Sequence, residues 1–171
     1  GAIGTTAMSV LEPGDHVVAF NYLYGGTRKL FDELYVPTFD VDVEYVDATS
    51  TSAVADAVTD ETALVWVESP TNPLMKLCDI GAIADIAGEV GATFCVDNTF
   101  ASPYFQRPLE LGADVVVHST TKYINGHSDS LGGAIVTRDE DLAERATFVQ
   151  KYGTGSVLSP FDAYLVLRGT K

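Results

Sequence analysis

Asp114-Val-Val-Val-His-Ser-Thr-Thr-Lys-Tyr-Ile-Asn-Gly-His-Ser128 is the stretch around which the rest of the chain is organised. It opens as an apolar β run, Val115 to Val117, and then breaks into hydroxyls at Ser119, Thr120 and Thr121. Lys122 follows, and the chain turns at Asn125-Gly126. A buried strand that delivers hydroxyls and a lysine at its exit can hold a phosphate beside an amine. Lys122 is one of five lysines in the chain. An amine placed there is a candidate nucleophile toward an aldehyde cofactor.

Outward from this stretch, continuous apolar runs alternate with helical patterns. Strands are expected at Val17–Phe20, Val43–Val46, Ala63–Val67, Thr93–Val96 and Val115–Val117. Helices are expected over Ala2–Leu11, Arg28–Tyr35, Ala53–Val58 (capped by Thr51 or Ser52), Ile80–Val90, Asp139–Lys151 and Pro160–Arg168, with a helical turn at Pro108–Leu111. Gly91 fits a helix C-terminus and Ser159 an N-cap. Strands apolar throughout imply an α/β fold, with a mostly parallel sheet covered by helices on both faces. Between Val117 and the next strand, Gly133–Val136, there is no room for a crossover helix. That strand is therefore expected to run antiparallel to its neighbour.

Composition narrows the partners. In 171 residues, 10 Lys and Arg stand against 24 Asp and Glu, a formal net charge of -14. Such a surface repels nucleic acid and anionic membranes, so neither is an expected partner, and no apolar run is long enough to cross a bilayer. No signal peptide opens the chain, which points to the cytoplasm. The acid excess fits either an ordinary acidic surface or a salt-rich cytoplasm. Cys95 reads as a small core residue, and the two cysteines, Cys78 and Cys95, form neither a zinc motif nor a disulfide framework. His118 and His127 have no carboxylate or cysteine at ligand spacing and read as structural, so no metal is expected.

In an open parallel sheet ligands collect at the carboxyl ends of the strands. Four strands end in polar candidates: Tyr24 after Val17–Phe20, Asn72 after Ala63–Val67, Asp97 after Thr93–Val96, and Ser119, Thr121 and Lys122 after Val115–Val117. Asp97 follows a buried run directly, so its carboxylate needs a partner, and a protonated ring nitrogen would serve. Ser119 and Thr121 alternate along an extended chain and would face one side. Tyr24 beside Gly25-Gly26 could lay its ring on a flat ligand. Asn72 lies in a stiff loop between Pro70 and Pro73, and one of the two X–Pro bonds is expected to be cis. Taken singly, each has a blander reading: a solvated lysine, an N-cap aspartate, a core tyrosine.

Together these segments resemble a known family. Tyr24-Gly-Gly-Thr27, Glu68-Ser-Pro-Thr-Asn-Pro73, Val96-Asp-Asn-Thr99 and Ser119-Thr-Thr-Lys-Tyr-Ile-Asn-Gly-His-Ser128 are similar to segments of the pyridoxal-phosphate enzymes of cysteine and methionine metabolism. That group includes cystathionine γ-synthase, cystathionine γ-lyase, methionine γ-lyase and O-acetylhomoserine sulfhydrylase. The resemblance extends through Pro103-Tyr-Phe-Gln-Arg-Pro-Leu-Glu-Leu-Gly112 and Ser159-Pro-Phe-Asp162, and Asn72, Asp97 and Lys122 fall at equal intervals, as in the family.

The resemblance implies a type I aminotransferase-like large domain with pyridoxal 5'-phosphate as cofactor. Lys122 would bind the cofactor aldehyde and shuttle protons, and Asp97 would pair with the ring nitrogen. Tyr24 would stack on the ring and act as acid or base. Ser119 and Thr121 would bind phosphate, Asn72 would sit near the phenolic oxygen, and Thr99 would lie on the ring's other face. It implies a small amino-acid substrate, chemistry at the γ-carbon, and a homotetramer of catalytic dimers. Methionine-cleaving members often carry cysteine where this chain has Gly26, which leans the choice toward cystathionine synthesis or cleavage. The family's Ser-Gly-Met phosphate segment, its N-terminal Tyr and Arg, and its C-terminal carboxylate-binding arginine have no counterpart here. Residues 1–171 are therefore expected to form most of one domain, without the N-terminal arm or the C-terminal domain. Two rivals remain open: a cofactor-free Schiff-base lysine aldolase, and a fragment that is not catalytic.

Overall fold

The computed structural model describes all residues, 1–171. In chain order the elements are α1 (Ala2–Val10), β1 (His16–Phe20), α2 (Gly25–Leu30), a π-helical turn Phe31–Tyr35, α3 (Val36–Phe39), β2 (Asp42–Val46), α4 (Thr51–Ala57), β3 (Thr62–Glu68) and α5 (Ile80–Val90). They continue with β4 (Thr93–Asp97), α6 (Ser102–Phe105), a 3-10 turn Pro108–Glu110, β5 (Val115–Ser119), a π-helical turn Thr120–Ile124, β6 (Gly133–Thr137), α7 (Glu140–Phe148), a π-helical turn Val149–Thr154 and α8 (Pro160–Gly169).

Six strands form one sheet in the order β2-β1-β3-β4-β5-β6. The first four pairings are parallel, and β5 pairs with β6 antiparallel, from Val115 opposite Thr137 to Ser119 opposite Gly133. The expected reversal at β6 is therefore present. Its cause is the short polar return, which cannot carry the chain to the far end of the sheet.

The central strands are apolar because both their faces are covered. Val17, Phe20, Leu64, Trp66, Phe94, Cys95 and Val115 have no exposed surface, and Phe31 packs edge-on against Trp66 at 5.8 Å between ring centroids. The β1→β2 connection moves outward along the sheet, whereas β2→β3 and β3→β4 move the other way. Right-handed crossovers put the helices of these connections on opposite faces. The reversal makes β1 and β3 the point from which the chain leaves in two directions, and a crevice opens there at the carboxyl ends.

Several local expectations shift. Ser50, not Thr51 or Ser52, caps α4, its hydroxyl accepting from the Ala53 N–H. The helix expected over Arg28–Tyr35 begins at Gly25 and, through the π turn, continues to Phe39; Pro37, with no N–H to give, follows directly on that turn, whose Val36 N–H bonds the Phe31 carbonyl. Ser159 caps α8 as expected, and Gly91 ends α5 in the left-handed conformation at φ 74°. Both Ser69-Pro70 and Asn72-Pro73 are cis, where one was expected.

Candidate active site

At the carboxyl edge of the sheet lies a cleft of about 770 Å³. Tyr24, Asn72, Asp97, Thr99, Ser119 and Lys122 all line it, so the ends of β1, β3, β4 and β5 contribute together. Gly1–Ile3, at the start of α1, line it too.

Asp97 is the last residue of β4 and is 7% exposed. Its Oδ1 accepts the Thr99 N–H at 3.0 Å and the Thr99 hydroxyl at 2.6 Å. Burial raises its pKa above the usual carboxylate range, against the opposing pull of the two Thr99 bonds. Oδ2 has no partner within the chain. A buried carboxylate with one oxygen free toward a cleft calls for a cationic or N–H donor there. Thr99 also accepts the Ser119 N–H at 2.9 Å, so one hydroxyl couples the ends of β4 and β5. Thr99 thus serves to orient Asp97.

β5 ends at Ser119, and the chain then winds into the π turn. Lys122 breaks the helical geometry inside that turn, with φ -92° and ψ -116°. This overturns the extended alternation expected of Ser119 and Thr121. Ser119 lines the cleft, whereas the Thr121 hydroxyl accepts the Gly132 N–H at 2.9 Å and donates to the Gly132 carbonyl at 3.2 Å. Thr121 instead lines an adjoining depression that also holds Lys122 and Asn72. Both the Lys122 and Asn72 side chains are exposed, so the lysine stands at the mouth of the cleft and is not walled in by apolar groups.

Tyr24 precedes α2, half exposed, and its N–H donates to Glu68 Oε2 at 2.6 Å. A methyl group at Gly26 would run into the Tyr24 ring, so the glycine leaves room for that ring position. From the sequence Glu68 stands only as the first residue of the Glu68–Pro73 segment. It lines the cleft, is buried, and sits in register with Asp97 across the β3–β4 pair. Burial first, and then the neighbouring Asp97, push its pKa up to about 7. The available signal was a carboxylate directly after the five-residue apolar run Ala63–Val67. His118, also on the cleft wall, is buried and held below the usual histidine range by that burial, with Nδ1 unpartnered. No grouping of three or more His, Cys, Asp or Glu side chains is arranged to hold a metal ion.

The whole chain, residues 1–171, matches the family described as Cys/Met metabolism PLP-dependent enzyme. The chain belongs to that family. Within the Cys/Met metabolism enzymes it is 53% identical over 163 residues to the cystathionine gamma-synthase of Mycobacterium bovis, covering 95% of this chain and 42% of that one. It is 49% identical over 167 residues to the cystathionine gamma-lyase of Dictyostelium discoideum, covering 98% of this chain and 43% of that one. Among solved structures, cystathionine gamma synthase from Xanthomonas oryzae pv. oryzae in complex with aminoacrylate and cysteine superposes with a TM-score of 0.94 at 43% identity. That match covers 99% of this chain and 43% of the other. The chain thus spans less than half the length of these relatives.

The residues present fit a pyridoxal phosphate. A half-satisfied buried carboxylate suits a protonated ring nitrogen, an amine stands in the same cleft, and the Ser119 hydroxyl on the cleft wall suits a phosphate.

Proposed function

We propose that the protein carrying this chain binds pyridoxal 5'-phosphate in the cleft and acts at the γ-carbon of sulfur amino acids or activated homoserine, as cystathionine γ-synthases and γ-lyases do. The observation that carries this reading is the Asp97 carboxylate, bonded on one oxygen only, in the same cleft as the Lys122 amine. When bound, the cofactor supplies an aldehyde that captures amines and a ring that withdraws electrons.

The chain's own residues then have separable tasks. Lys122 Nζ would hold the aldehyde, and its amine would be the base that carries a proton from and back to the substrate α-carbon. Asp97 Oδ2 would keep the ring nitrogen protonated, with Thr99 fixing the carboxylate for that contact. Ser119 would receive the phosphate, with Thr121, whose hydroxyl is bonded to Gly132, beside it as the second hydroxyl of the lysine turn. Tyr24 would lay its ring against the cofactor and offer its hydroxyl as acid or base, while Asn72 would donate toward the phenolic oxygen.

Two further parts of the reading rest on surface and length. The face of α8 carrying Phe161, Tyr164 and Leu167 is exposed, as are Tyr104 and Phe105 on α6, and exposed apolar surface of this kind supports a homo-oligomer. Residues 1–171 would be most of the larger, cofactor-binding domain of a cytoplasmic enzyme. No helix is long and apolar enough to cross a membrane.

The test is spectroscopic and then kinetic. Full-length protein should carry a visible cofactor band that borohydride bleaches, and Lys122→Ala should lose it. Steady-state assays with cystathionine, methionine and activated homoserine esters should show turnover of the first or the last. A colourless protein, or a lysine-linked band that survives in Lys122→Ala, would overturn the assignment.

A further inference from the structure

Glu68 is a buried carboxylate of the cleft that, like Asp97, accepts two hydrogen bonds, yet has no task in the chemistry above. It stands at the end of β3, 5% exposed, and uses both oxygens. Oε2 accepts the Tyr24 N–H at 2.6 Å and Oε1 accepts the Asn72 N–H at 3.1 Å. Neither N–H has another acceptor in the chain. An ionised carboxylate is the one common side chain with two equivalent acceptor oxygens and no donor, so it can satisfy two N–H groups at once.

The topology makes this double bond significant. β1 and β3 are neighbours, yet the chain leaves them in opposite directions, so the loops beyond their carboxyl ends diverge. Tyr24 lies on the loop after β1 and Asn72 on the loop after β3. Both side chains are exposed, so their own packing does little to place them. The Tyr24 carbonyl is tied to α2 through the Thr27 and Arg28 N–H groups, and Thr71 is tied to Lys76 and Met75, but what links the two backbones to each other is one buried carboxylate between them.

We propose that Glu68 is a positioning residue that straps the Tyr24 and Asn72 backbones together across the β1–β3 crevice, and so sets the Tyr24 ring and the Asn72 amide against the bound cofactor. The second half rests on the pyridoxal phosphate reading; the strap itself does not.

Amide hydrogen exchange on the full-length protein, stripped of cofactor, tests the strap directly. The Tyr24 and Asn72 amides should exchange far more slowly than exposed loop amides such as Leu74. If they exchange as fast as Leu74, the strap does not exist, whatever the protein binds. In Glu68→Gln the amide keeps one acceptor but turns an NH₂ toward the other N–H. One of the two amides should then exchange about tenfold faster or more, with β1 and β3 core amides unchanged. Faster exchange throughout β1 and β3 would show a merely structural residue and overturn the proposal.

A second readout is binding. The dissociation constant for pyridoxal phosphate should rise roughly tenfold in Glu68→Gln, and the circular dichroism of the bound cofactor band should weaken, because the Tyr24 ring is no longer held. Unchanged affinity and an unchanged band would overturn the positioning role. A wild-type protein that fails to bind pyridoxal phosphate sinks the function proposed above, while the exchange result for the strap stands on its own.

Discussion

Thr99 gives both of its donors to a single oxygen of Asp97, the N–H at 3.0 Å and the hydroxyl at 2.6 Å. The other oxygen is thereby left for the cleft, and the carboxylate plane cannot rotate freely. The same hydroxyl accepts from the Ser119 N–H, so Asp97 and the start of the lysine turn are aligned by one side chain. Thr99→Val keeps the shape and removes the hydroxyl. It should cost about 1–3 kcal/mol of stability, because the buried Asp97 oxygen and the Ser119 N–H both lose a partner. Urea denaturation of the cofactor-free protein measures the loss, and cofactor titration should show weakened binding as well.

The two cleft carboxylates set the sign of a pH effect. Glu68 has a folded-state pKa of about 7, above its ordinary value, and Asp97 is shifted in the same direction, both chiefly through burial. Between the ordinary carboxylate range and about 7, the folded cleft therefore binds more protons than the unfolded chain. Stability conferred by these groups is greatest at the acid end of that window and falls as pH rises through it. The melting temperature of the cofactor-free protein should drop from about pH 5 to about pH 7.5. Glu68→Gln should flatten the drop, and so should saturating cofactor, whose ring cation would neutralise Asp97.

Gly26 separates folding from binding. It lies in α2 with no positive φ, so Gly26→Ala should favour the helix by up to about 1 kcal/mol. The added methyl would meet the Tyr24 ring and displace it. The expected outcome is an unchanged or raised melting temperature together with weaker cofactor binding. Equal affinity in Gly26→Ala and the parent would show that the Tyr24 ring position is immaterial.

The net charge of -14 spread over the surface should make stability depend on salt. Screening weakens self-repulsion over distances of about 10 Å at 0.1 M and about 3 Å at 1 M. The melting temperature should climb between these concentrations of sodium chloride, and a flat profile would show that the acids are locally compensated.

The fold was largely legible because it depends on burial. Runs such as Val115–Val117 and Ala63–Val67 have no polar face and can lie only inside a covered sheet, and the short polar return after Ser119 forbids a parallel partner. The site was legible where a residue type is unusual in its place, as with Asp97 after Phe94-Cys-Val and Lys122 after three hydroxyls. It was not legible where a side chain acts on backbone atoms far away in sequence. Glu68 bonds the N–H of Tyr24, 44 residues earlier, and nothing in its own neighbourhood announces that. The extended alternation of Ser119 and Thr121 is absent for a local reason: the strand stops at Ser119, and the next residues wind into the π turn.

The antiparallel return of β6 has a consequence for how such a site can vary. A parallel connection would carry the chain to the opposite rim of the sheet before it came back. Here Thr120–Gly132 leaves β5 and re-enters at Gly133 without quitting the rim where the ligand would lie. Lengthening, shortening or reshaping that segment alters the doorway itself while the strands beneath keep their pairing.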